Sequence, residues 1–226
     1  MATRAPCVTE EWYHCYNRGV DKRKVFESKA DYERFMGLLY VSNGDRTEAI
    51  SDRYRRDFPS LLAEDPKDRG EPLVDIAAFS LMPTHVHFVL QQLQDGGIAR
   101  FMQKIFTAYT MHFNARRERT GALFAGTYKT KHIDDDRYLK KVIPYVILNP
   151  AELFEPKWKQ GKCDIGKMRT QLLEYPYSSV KEFFNKDATA QKITGAGIRE
   201  YFDRMPNLTE MLEDARDYYR EYSPEV

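Results

Sequence analysis

Chemistry first becomes legible in this 226-residue chain at His85-Val86-His87. The triplet stands in an apolar, β-prone run, His85–Gln92, and strand side chains alternate between faces. His85 and His87 therefore leave the same face, ~6–7 Å apart along the strand, while Val86, Phe88 and Leu90 leave the other. Two imidazoles on one face can share a divalent metal. The same triplet also fits two surface histidines, and an all-apolar opposite face shifts the balance toward a ligand pair.

A second pair is Tyr145 and Asn149, four residues apart on a predicted helix and so on one face of it. Asn149 offers an amide oxygen to a metal. Tyr145 offers a phenolic nucleophile that becomes active as its proton is lost beside a metal-bound phosphate. The chain has 15 tyrosines and Asn149-Pro150 is a natural helix stop, so a core tyrosine with a helix-ending asparagine is the favoured reading of these two residues alone. A third feature is charge. Between Ile98 and Ile133 stand Arg100, Lys104, Arg116, Arg117, Arg119, Lys129 and Lys131, with Glu118 the only acid and Phe113, Phe124 and Tyr128 interleaved. Basic and aromatic side chains together suit single-stranded nucleic acid, through phosphate contact and base stacking, and they also suit an ordinary solvated helix end.

The elements that must position these residues follow from periodicity. Strands are predicted over Glu11–Gly19, Val74–Met82, His85–Gln92 and Thr127–Ile133, with Pro83-Thr84 closing a hairpin. Helices are predicted over Lys29–Ser42, from Gly96-Gly97 through an apolar stripe ending at Phe113, and from Asp134-Asp135-Asp136 to Asn149. The order strand, helix, strand, strand, helix, strand is the split βαβ, or ferredoxin-like, pattern, and the tyrosine helix comes after it. The polar stretch 44–72 reads as an insertion, with a short helix around Tyr54, Phe58, Leu61 and Leu62. Beyond Pro150 come about three further short helical segments. From Asp203 to Glu225 the chain is mostly acidic, with Tyr218-Tyr219 expected to pack on the domain.

Composition bounds the rest. Hydrophobic residues make up 42% and charged residues 31%, a balance with ample core material, and 35 basic residues against 34 acidic ones give a net charge of +1. A nucleic-acid partner thus needs a local basic surface, since overall charge argues for none. No apolar run approaches the ~18–20 residues of a membrane span. No signal peptide is read at the N-terminus. Cys7, Cys15 and Cys163 are too few and too scattered for a disulfide framework or a zinc site, and a reducing cytoplasm is the simplest setting. His14, His112 and His132 read as structural or surface residues, with His14 on the first strand at the border of any site. Walker, G-x-G-x-x-G and G-x-S-x-G motifs are absent.

Taken together, YHCYNRG (13–19), FSLMPTHVHFVL (79–90), FNARRERTGALFAGTYKTK (113–131), YVILNP (145–150) and YPYSS (175–179) resemble the single-tyrosine HUH transposases, and most closely their REP-associated branch. The resemblance spans about residues 12 to 184. It implies an α+β, ferredoxin-like antiparallel sheet with helices on one face, a tyrosine helix near the HUH face, and a helical C-terminal extension. Residues 1–150 would form the catalytic domain, and 151–226 would pack on it. His85, His87 and Asn149 would be metal ligands for Mg²⁺ or Mn²⁺. Tyr145 would be the nucleophile that attacks DNA and leaves a 5′-phosphotyrosine link and a free 3′-OH. Arg18, Arg100, Lys104, Arg116, Arg117, Arg119, Lys129 and Lys131 would contact DNA. The implied partner is single-stranded or hairpin DNA, with no membrane and no small-molecule cofactor. The protein would act as a monomer or homodimer in a prokaryotic cytoplasm, at the nucleoid. Two departures stand out. Pro144 precedes the tyrosine, where a proline removes a helical hydrogen bond and kinks the axis, and the 44–72 segment is longer than a minimal member needs. A non-catalytic DNA-binding protein on the same fold, or a metal-dependent phosphodiesterase with a structural Tyr145, are the competing readings.

Overall fold

The structure is a computed structural model that describes residues 6–46, 57–63, 65–160, 163–184, 193–195, 202 and 207–222. Four strands, β1 (Trp12–Arg18), β2 (Val74–Met82), β3 (His85–Gln92) and β4 (Lys129–Ile133), form one sheet in the order β2-β3-β1-β4. All three pairings are antiparallel. β3 is therefore central, bonded to β2 through the hairpin and to β1 across the chain. A bulge between Ile76 and Ala78 in β2 shifts the register along the hairpin. Tyr13 and Cys15 of β1 share a face with Val86, Phe88 and Leu90 of β3. This face is covered by α1 (Lys29–Val41), α2 (Phe58–Leu62) and α3 (Gly97–Arg116).

α1 begins where its sequence says it should. Ser28 is the N-cap, and Ser28 and Asp31 exchange side-chain bonds with each other's backbone N–H. α3 starts after Gly96, whose φ of 63° is the left-handed conformation that glycine takes without a Cβ penalty. Gly97 follows it against the residue that precedes β2, where a Cβ would lie 2.3 Å from the Leu73 carbonyl oxygen.

The opposite face is also covered. α4 (Asp136–Leu148) lies across Trp12, Ala78 and Val89 through Val142, Ile143, Val146 and Ile147. Helices thus lie on both faces of the sheet. α4 runs through Pro144 as one continuous helix. Beyond it come α5 (Ala151–Phe154), a 3₁₀ turn at Trp158–Gln160, α6 (Ile165–Glu174), α7 (Val180–Phe184) and α8 (Leu208–Tyr222). Trp158, Met168, Leu172, Leu208, Met211 and Leu212 join the α4 cluster.

The 175–179 motif closes a sheet edge. Leu81 N–H donates to the Tyr177 carbonyl at 2.9 Å, Ser179 N–H to the Phe79 carbonyl at 3.0 Å, and Phe79 N–H to Ser179 Oγ at 2.9 Å. β2 would otherwise present open backbone groups to any passing strand. Part of the 44–72 segment, including Tyr54, and the side chains of Tyr218 and Tyr219 lie outside the described residues. Among the described residues, no helix is long and apolar enough to cross a membrane.

Candidate active site

The pairing register decides which side chains meet. Arg18 lies opposite His85, and Tyr16 opposite His87, so these four share a face of the sheet. β4 adds Lys129 opposite Tyr16 and Lys131 opposite His14. α4 crosses the same face and turns Tyr145 toward it. The Tyr145 ring meets His87 edge-on, with centroids 5.7 Å apart at 87°. Asn149 caps the end of α4 one turn later, and its Nδ2 donates to the Tyr145 carbonyl at 3.2 Å. The other polar atom of the amide, Oδ1, is an acceptor. A cleft of about 460 Å³ is lined by Arg18, His85, His87, Lys129, Tyr145 and Asn149, together with Tyr16, Asn17, Ala125, Glu152 and Lys159.

Each histidine of the H-x-H triplet has one nitrogen engaged. His87 Nδ1 is 2.9 Å from His14 Nε2, and His85 Nδ1 is 2.9 Å from Thr84 Oγ1. The Nε2 atoms remain for the cleft. Burial holds the His85 imidazole down at about 4, helped by the positive charge of Arg18. Burial also holds His14 at about 4, and it holds His87 well below its ordinary value. All three are neutral at pH 7, the state in which imidazole ligates metal. Burial pushes the Tyr145 phenol up to about 12, and the nearby Glu152 carboxylate adds to this while a hydrogen bond from Asn149 opposes it.

Neutral imidazole nitrogens and an amide oxygen are donor types that can ligate a divalent cation. Among the described residues no three His, Cys, Asp or Glu side chains gather as a metal-binding group, so a third donor beside His85 and His87 would have to be of another kind. The Asn149 carbonyl oxygen is such a donor. Glu152 lines the same cleft and is ion-paired with Lys159.

The basic residues divide between two regions. Lys129 and Lys131 are exposed on β4, at the cleft side, and Arg18 lines the cleft. Arg100, Lys104, Arg116 and Arg117 belong to or follow α3, across the sheet. Lys104 Nζ donates to the carbonyls of Gly44 and Arg46. Arg119 bonds Asn114 and the Ala122 carbonyl. Arg117 forks onto Asp31 and also bonds Glu27. His14 is the site residue that sequence reading left at the border. Only the β1–β3 pairing, a contact across 73 residues, brings it to His87.

No family model and no curated protein matches the sequence. Among solved structures, the chain is similar to a REP-associated tyrosine transposase bound to a REP hairpin. The superposition has a TM-score of 0.50 and covers 92% of this chain and 97% of that one, at 12% sequence identity. At that identity the likeness is one of fold: the mixed α+β chain, with its four-stranded antiparallel sheet, shares its architecture with that transposase.

Proposed function

We propose that this chain is a metal-dependent tyrosine transposase of the HUH type, which cleaves and rejoins single-stranded, hairpin-flanked DNA. The observation that carries the reading is the seating of Tyr145 edge-on to His87, with Asn149 one helical turn away in the same cleft. The neighbour of like fold was bound to a REP hairpin, which supports a hairpin substrate here. The strand order β2-β3-β1-β4 supports a ferredoxin-like core within residues 1–150, with 151–226 as a helical extension of the same domain.

His85 and His87, through Nε2, and Asn149, through Oδ1, would hold Mg²⁺ or Mn²⁺. When bound, the cation polarises the scissile phosphate and offsets the charge that builds on it. Arg18, Lys129 and Lys159 hold the phosphate from the cleft walls. The Tyr145 oxygen attacks phosphorus, its proton leaves, and the P–O3′ bond breaks as the 3′ oxygen takes up a proton. The 5′ phosphate stays on the enzyme as a phosphotyrosine ester. Rejoining reverses the exchange with another 3′-OH, and needs no ATP because the ester retains the bond energy.

The test is a denaturing gel with labelled single-stranded hairpins taken from the flanks of the gene. A labelled band that travels with the protein, needs Mn²⁺ and disappears with chelator is the expected result. Hairpin binding with no adduct at any flank sequence would instead establish a non-catalytic DNA-binding protein.

The split of the basic residues gives a second expectation. Lys129→Ala and Lys131→Ala should each lower the slope of log affinity against log salt by about 1, as loss of one phosphate contact requires. Arg100→Ala, on the far face, should leave the slope unchanged. Equal slopes in all three variants would remove β4 from the DNA track.

A further inference from the structure

We propose that His14 is a positioning residue that accepts the Nδ1–H of His87 and so keeps the His87 Nε2 lone pair turned to the cleft. The proposal rests on the reading of His87 as a metal ligand. It concerns what that ligand requires.

A neutral imidazole carries one proton, on either nitrogen, and only the bare nitrogen can ligate. His87 Nδ1 and His14 Nε2 are 2.9 Å apart, so one hydrogen lies between them. If His14 donated it, His87 would carry its own proton on Nε2 and could not bind a cation there. If His87 donates it, Nε2 is bare, and His14 holds its proton on Nδ1. Arg18, Lys129 and Lys159 outnumber Glu152, the one acid lining the cleft, which is ion-paired with Lys159, and this positive balance selects the second arrangement, because a lone pair facing positive charge is favoured over an N–H. His85 is served in the same way, its Nδ1 lying 2.9 Å from the Thr84 hydroxyl. Ligand imidazoles are commonly oriented by such a partner on the other nitrogen.

Packing makes the arrangement rigid. His14 is 9% exposed and His87 3%. The two imidazoles lie nearly coplanar, 16° apart with centroids 5.2 Å apart, as an in-plane N–H···N bond requires, and the Tyr16 ring lies within 30° of parallel to both. His14 also meets the Tyr145 ring edge-on at 5.6 Å. One side chain thus braces both the ligand and the phenol.

The test reads protonation directly, in the full chain and without DNA. Long-range ¹H–¹⁵N correlation spectra, with His87 identified by its loss in His87→Gln, should show the wild-type proton on Nδ1. His14→Phe keeps a ring at this position but has no acceptor. It should move the His87 proton toward Nε2 and weaken Mn²⁺ binding by about 10- to 100-fold. His14→Gln restores a side-chain acceptor and should recover part of both. A wild-type proton on His87 Nε2 would overturn the proposal, as would a His14→Phe variant with unchanged tautomer and Mn²⁺ affinity. If the wild type holds the Nδ1–H tautomer through His14 yet binds no Mn²⁺, the ligand reading fails while the positioning role stands.

Discussion

Tyr145→Phe should bind hairpin DNA about as tightly as the wild type and form no covalent adduct. The substitution removes one oxygen and keeps the ring that meets His14 and His87 edge-on. The cleft walls, the imidazoles and Asn149 are untouched, so binding persists. Removing the nucleophile from a catalytic constellation costs roughly 10⁶-fold in rate. The phenol starts at a disadvantage, because burial and Glu152 raise it to about 12. At neutral pH it is protonated, and the positive charge that must draw off its proton comes from groups around the phosphate. A gel of wild type and variant, matched for bound hairpin, checks the expectation. An adduct of normal yield in the Phe variant would move the nucleophile elsewhere, with Tyr138 on the same helix the next to test.

Local pattern made much of this site legible. The alternation around His85 and His87 predicted a two-faced strand, and the i, i+4 spacing placed Tyr145 and Asn149 on one side of a helix. The centre of the sheet went to β3 because the hairpin and the strand order left it there. What local pattern could not supply was pairing across long stretches of chain. His14 reaches His87 through the β1–β3 register, and nothing in residues 12–18 announces that partner. Sequence placed Arg117 among the candidate phosphate contacts because it stands in a basic run. The folded chain ties it to Asp31 and Glu27 on and before α1, 86 and 90 residues away. Arg100 and Lys104 were grouped with Lys129 and Lys131 by proximity in sequence, although the two groups lie on opposite sides of the sheet. The YPYSS motif read as a family marker, and its backbone closes the β2 edge, a role that only the assembled sheet defines.

Asp31→Asn is expected to destabilise the fold by about 3 kcal/mol, near the lower end of the cost of breaking a buried ion pair by removing one partner. The Asp31 side chain is 0% exposed and Arg117 is 21% exposed, which leaves the guanidinium some solvent and its second partner, Glu27. Asp31 Oδ2 accepts from Arg117 Nη2 at 2.6 Å and from the backbone N–H groups of Glu27 and Ser28, both at 2.9 Å. The Arg117 guanidinium lies 3.8 Å over the Phe113 ring. This knot fastens the start of α1 to the end of α3. Burial alone would raise the Asp31 carboxyl, but hydrogen bonds from Arg117, Glu27 and Ser28 outweigh it and hold the folded value below the ordinary one. The sign follows: the stabilisation is present above the unfolded value of ~3.9 and is lost as pH falls through the lower folded value. Urea midpoints should therefore separate wild type from Asp31→Asn at pH 7, and the gap should close as pH falls below the ordinary carboxylate range and through the lower folded value. A difference under about 0.5 kcal/mol at pH 7, the scale of an ordinary surface substitution, would show that the pair is not a fastening. The same geometry separates two causes of weakened DNA binding. Arg117→Met should lower affinity only as far as it unfolds the chain, with the salt slope kept. Lys129→Ala should lower the slope itself, because a phosphate contact releases counterions and a structural ion pair releases none.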